Sequence, residues 1–115
     1  MPKPQPGTIV NIMREADLVK TITTQLRQHP NVWVLKTHGG IYMPKGTPDL
    51  IGCCDGKFFA IEVKLDAHGH YRVTPIQKHV GNQIIKAGGA FTVVDRSNYS
   101  SVIADLTTVN TPKGI

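Results

Sequence analysis

Residues 47–64 read TPDLIGCCDGKFFAIEVK. Two apolar runs, 49–54 and 57–64, flank Asp55-Gly56, and Asp-Gly between β-type runs signals a two-residue hairpin. A turn of that length sets the register. Cys54 then faces Lys57, Gly52 faces Phe59 and Leu50 faces Ile61 as hydrogen-bonded pairs. Asp49 falls directly opposite Glu62, where Cβ atoms stand about 4.5–5.5 Å apart. Alternation puts Lys64 on the face of Glu62. Ile51, Cys53, Phe58 and Ala60 fill the rest of that face, and Leu50, Phe59, Ile61 and Val63 make the other face apolar too. The hairpin is therefore expected to be covered on both sides, with three charges at one end.

Unpaired charges seldom enter such strands, because burying one costs several kcal/mol or more. Two carboxylates directly opposite each other repel, and a divalent cation reverses the sign of that interaction. Oxygen donors suit Mg²⁺ or Mn²⁺. The plain alternative is that Lys64 neutralises Glu62 at a strand end. Three charges on one face, following the glycine-containing loop HGGIYMPKG (38–46), favour the metal.

Outward from the hairpin, a helix is expected over 12–28, with Asn11 as a possible N-cap and His29-Pro30 as its end. Glu15 shares a stripe with Val19, Ile22 and Leu26 at 100° per residue, so it is expected to face the sheet as a further ligand or a partner of metal-bound water. A first-turn acid favoured by the helix dipole is the alternative. VWVLK (32–36) is a strand. Residues 67–72 form a loop. Thr74-Pro75-Ile76-Gln77 opens a second helix as a capping box with proline at its first position, and that helix ends at Gly88-Gly89. Gln77 either serves the cap alone or also reaches the site. AFTVV (90–94) is a fourth strand, and Ser97 caps a short third helix packed through Tyr99, Val102, Ile103 and Leu106. The order α-β-β-β-α-β-α implies an α/β fold with one mixed four-stranded sheet flanked by helices.

The 115 residues, 40% of them hydrophobic, suit a single domain over 1–115 with loose ends at 1–8 and 108–115. No apolar run approaches the ~20 residues of a membrane helix. The stretch MPKPQPGT lacks a signal-peptide core, so a cytoplasmic protein is expected. A net charge of +5 and a pI near 9.4 favour an anionic partner such as DNA. Lys36, His38, Tyr42 and Lys45 are the candidate nucleic-acid contacts, each equally readable as surface. Trp33 reads as core or interface. Adjacent Cys53 and Cys54 point to opposite faces and read as buried free thiols. Scattered histidines, His68 and His70 included, do not suggest zinc.

Four segments carry a resemblance: the helix acid of READLVKTI, KGTPDLIG, the strand AIEVK, and TPIQ. Together, over about residues 12–94, they resemble the PD-(D/E)xK nuclease superfamily. Within it they are similar to the VRR-Nuc group, whose small stand-alone members occur in bacteriophages. The resemblance implies a restriction-endonuclease-like core and a Mg²⁺- or Mn²⁺-dependent endonuclease. Asp49, Glu62, Lys64 and Gln77 are then the catalytic positions, and Asp49, Glu62, the Val63 carbonyl and Glu15 the metal positions. It also implies cleavage leaving a 5′-phosphate and a 3′-hydroxyl. A small basic domain gains duplex-gripping surface as a homodimer, which suits a branched substrate such as a four-way junction. The competing expectation is a non-catalytic nucleic-acid-binding module on the same fold.

Overall fold

The computed structural model describes residues 14–38, 42–65 and 73–108. In chain order these form α1 (Glu15–Leu26), β1 (Val32–Lys36), β2 (Leu50–Cys54), β3 (Lys57–Val63), α2 (Pro75–Lys86), β4 (Ala90–Val94) and α3 (Tyr99–Thr107). The strands make one mixed sheet in the order β1-β2-β3-β4. β1–β2 and β2–β3 are antiparallel, and β3–β4 is parallel, joined through α2. The α/β class and the element order are those expected. The expected tail 1–8, the Asn11 cap, the glycines at 39 and 40, the loop 67–72 with its two histidines and the segment 109–115 lie outside the described residues.

The hairpin turn is two residues long, with φ of 51° at Asp55 and 82° at Gly56. Positive φ at both positions is the type I′ signature that suits the strand twist. It fixes the pairs Cys54–Lys57, Gly52–Phe59 and Leu50–Ile61. Continuing the register one step sets Asp49 against Glu62.

One face of the sheet is sealed. Leu18, Val19, Ile22 and Leu26 of α1 and Ile103 of α3 pack on Val34, Leu50, Phe59, Ile61, Val63 and Val94. The apolar stripe of α1 thus faces the sheet as its phase requires. The helix begins later than expected, because Arg14 is extended (φ −91°, ψ 163°) and is itself the N-cap. The Asp17 carboxylate accepts the Arg14 N–H at 3.0 Å.

Among the described residues the opposite face is only half covered, where two covered faces were expected. As the single crossover between β3 and β4, α2 covers their half of this face. Its Gly81 lies so close to the Phe91 ring that a Cβ there would sit 2.4 Å from it. Over β1 and β2, Trp33 is 58% exposed and Leu35 45%, and Phe58 beside them is 41% exposed. Cys53 opens onto this half and is only partly buried, whereas Cys54 on the sealed side is buried. Burial, and then the charge of Asp55, push the Cys54 thiol up, so it stays protonated.

α2 is capped as its sequence dictates: Thr74 Oγ1 accepts the Gln77 N–H at 3.2 Å, and Gln77 Oε1 accepts the Thr74 N–H at 2.9 Å. The start of α3 differs from expectation. Its N-cap is Asn98 rather than Ser97. Buried Asp95, at the end of β4, accepts the N–H groups of Ser97 and Asn98 and the Ser97 hydroxyl. A carboxylate two residues upstream outcompetes the serine for the free N–H groups.

Candidate metal centre

The site lies where the hairpin stops pairing. Register would set Pro48 against Val63 as the next hydrogen-bonded pair, but proline has no N–H to give the Val63 carbonyl. The chain turns out of the ladder there. The Asp49 carboxylate takes the vacated place, accepting the Val63 N–H on Oδ2 at 2.7 Å. N–H and C=O of one strand residue point to the same side, so the Val63 carbonyl is turned toward the Asp49 side of β3.

Glu62 sits beside it, its side chain only 4% exposed. Oε2 accepts from Gln77 Nε2 at 3.0 Å and pairs with Lys64 Nζ at 3.5 Å. Lys64 also donates to Gln77 Oε1 at 3.4 Å. Gln77 therefore serves both the cap and the site. Its Oε1 accepts from Thr74 and Lys64, which fixes the amide orientation and aims Nε2 at Glu62. Beyond Lys64, the N–H and Nε of Arg96 both donate to the Leu65 carbonyl, at 3.4 and 3.2 Å. These bonds pin the chain just past the lysine.

Glu62 Oε1 is buried and has no hydrogen-bond partner among the described residues. Burial first, then the charge of Asp49, push the Glu62 carboxyl up to about 7, with Lys64 only partly offsetting them. Two ionised carboxylates have no donor to offer each other. A buried carboxylate oxygen without a donor, facing a second carboxylate, is a place where a divalent cation relieves both the repulsion and the missing contact. The donor set is all oxygen, which fits Mg²⁺ or Mn²⁺.

Glu15 does not complete a three-acid cluster: among the described residues no three His, Cys, Asp or Glu side chains converge to hold a metal. As the first residue of α1 it lies at the end of the stripe and is exposed. It still senses the site, since burial and then the Asp49 charge raise its pKa while Lys64 lowers it. Lys36, His38, Tyr42 and Lys45 are all exposed, Tyr42 by 94%. They are not among the residues brought onto the acidic pair. The shallow depression bordered by His79, Asn82, Gln83 and Lys86 lies on the far side of α2 from Gln77 and holds no acid.

One residue escaped the sequence reading. Thr37, just past β1, donates its N–H to the Asp49 carbonyl at 2.9 Å, and its hydroxyl lies 2.5 Å from the Pro48 carbonyl. Its signal was the β1–β2 register, which pairs Lys36 with Leu50 and so brings Thr37 to Asp49. No tight turn joins these strands, so the sequence does not reveal that register. Comparison with protein-family models, curated proteins and solved structures gives no match.

Proposed function

We propose that the chain is a Mg²⁺- or Mn²⁺-dependent endonuclease that hydrolyses DNA phosphodiesters on a restriction-endonuclease-like core, in keeping with its resemblance to the VRR-Nuc group. The observation that carries this reading is the pairing of Asp49 with a buried Glu62 whose Oε1 lacks a donor. Lys64 and Gln77 stand on the other oxygen.

In this reading Asp49, Glu62 and the Val63 carbonyl hold a divalent cation, whose charge polarises a phosphate and lowers the pKa of water. Lys64, tethered by Glu62 and Gln77, orients the attacking water and offsets charge that develops on the phosphate. Gln77 keeps Glu62 in place, and Glu15 holds water at the periphery. The net charge of +5 favours a polyanionic substrate. Lys36, His38, Tyr42 and Lys45, on exposed segments, are its proposed contacts.

A homodimer belongs to the same reading. Trp33, Leu35 and Phe58 leave apolar surface on the open half of the sheet, and a second copy would cover like with like. Two centres related by a two-fold axis suit a four-way junction.

The test incubates supercoiled, linear and four-way-junction DNA with Mg²⁺, Mn²⁺ or EDTA, beside Lys64→Ala. Cleavage that needs the cation and disappears in the variant supports the enzyme. Tight binding with no cleavage in either metal overturns it in favour of a non-catalytic DNA-binding module.

A further inference from the structure

We propose that Thr37 is a positioning residue for the metal centre: its hydroxyl holds the Pro48 carbonyl away from Val63, so that the Asp49 carboxylate is the group that takes the Val63 N–H. The proposal rests on the metal-centre reading above and adds a residue to it.

Three hydrogen bonds carry the argument. In an unbroken antiparallel ladder the Val63 N–H would go to the Pro48 carbonyl, because 48 and 63 follow the pairs 52–59 and 50–61 in register. That bond is not made. The Pro48 carbonyl instead accepts the Thr37 hydroxyl at 2.5 Å, and the Asp49 carboxylate accepts the Val63 N–H at 2.7 Å. Thr37 holds the other end of the same residue through its own N–H, bonded to the Asp49 carbonyl at 2.9 Å. The hydroxyl also lies 3.1 Å from that carbonyl. Its single proton serves the nearer acceptor, Pro48.

The consequence is a choice between two acceptors for one donor. With the hydroxyl present, the Pro48 carbonyl is satisfied outside the ladder, and Asp49 is anchored at both its carbonyl and its carboxylate. Without it, Pro48 presents an unsatisfied carbonyl next to the Val63 N–H, and a buried acceptor recruits a donor. The Asp49 carboxylate then loses its anchor beside Glu62. Partners that hold a ligating carboxylate in place are worth about 10- to 100-fold in metal affinity.

Calorimetric titration of Mn²⁺ into the wild-type chain, Thr37→Val and Thr37→Ser tests this, at a temperature well below each Tm. There a mere loss of stability does not move the dissociation constant. Thr37→Val is expected to bind about 10- to 100-fold more weakly, and Thr37→Ser, which keeps the hydroxyl, as the wild type does. Thr37→Ala carries the same expectation as Thr37→Val and replaces it should the valine variant not fold. Folded Thr37→Val or Thr37→Ala with wild-type affinity overturns the proposal, as does Thr37→Ser losing as much as either. A wild-type chain that binds no Mn²⁺ overturns the metal centre and this role with it. Binding by the wild type that is unaffected in the variants overturns this role alone.

Discussion

Gln77 donates from Nε2 to Oε2 of Glu62 across 3.0 Å, while Oε1 of the same amide accepts the Thr74 N–H that opens α2. One side chain therefore ties a helix terminus to a buried acid. The cap explains why the helix starts there, and the same bond brings α2 onto the charged end of the sheet.

The two duties separate by substitution. Gln77→Ala removes the cap acceptor and the donor to Glu62 together, so its cost in EDTA should exceed the cap's share of about 1 kcal/mol, and millimolar Mg²⁺ should recover all but that share. Gln77→Glu keeps a capping-box acceptor but replaces the donor to Glu62 with a second carboxylate. It should be destabilised by roughly 1–3 kcal/mol in EDTA and recover in millimolar Mg²⁺. Urea unfolding in both buffers reads the difference; equal losses in both buffers would mean that Gln77 serves only the cap.

Glu62 makes stability depend on pH. Its carboxyl is raised to about 7 by burial and by Asp49, so the folded chain holds this proton more tightly than the unfolded chain does. That contribution is complete below the ordinary value of 4.5 and is lost as pH rises through 7. A shift of that size corresponds to something on the order of 3 kcal/mol. In EDTA, the stability of the wild type minus that of Glu62→Gln should fall between pH 5 and pH 7.5, and above pH 7.5 Glu62→Gln should be the more stable. A flat difference across this range would show that Glu62 does not titrate there.

Cation binding should reverse that penalty. With Asp49 and Glu62 as ligands, Mg²⁺ or Mn²⁺ at a hundred times its dissociation constant stabilises the fold by about 2.7 kcal/mol. Because the cation needs Glu62 ionised, its affinity should weaken as pH falls below 7. Asp49→Asn and Glu62→Gln should each abolish the rise in Tm with added cation. Persistence of that rise in both variants would place the cation elsewhere.

How much of this was legible depended on the range of each interaction. Asp55-Gly56 disclosed the register of β2 and β3 because a two-residue turn leaves no slack. Thr74-Pro75 and Gln77 disclosed the start of α2 because a cap is local. The phase of Val19, Ile22 and Leu26 gave the buried face of α1, but not that Glu15 at its end would stay exposed. Ser97 was the expected cap of α3 because nothing in the local pattern shows that Asp95 is buried and turned toward the same N–H groups. Thr37 and the open half-face of Trp33 and Leu35 depend on where the long β1–β2 connection and a single crossover helix run. No local pattern encodes that.

Lys64 offers the sharpest separation of binding from chemistry. Its side chain is only 14% exposed, and Nζ stands 3.5 Å from Glu62 Oε2 and 3.4 Å from Gln77 Oε1. If it were merely the counter-ion of Glu62, its removal would leave a buried acid without a cation, and an added divalent ion would make good the loss. If it also orients the attacking water, the divalent ion cannot replace it. Lys64→Ala should therefore bind Mn²⁺ at least as tightly as the wild type, since a competing positive charge has gone. It should be less stable in EDTA above pH 7.5 and regain that stability with Mn²⁺. Its cleavage rate at saturating Mn²⁺ should still fall by about 10²- to 10³-fold, the usual worth of a group positioned against charge developing in the transition state. Calorimetry and a single-turnover cleavage assay on the same preparation measure both. Cleavage restored to the wild-type rate by Mn²⁺ alone would reduce Lys64 to a counter-ion.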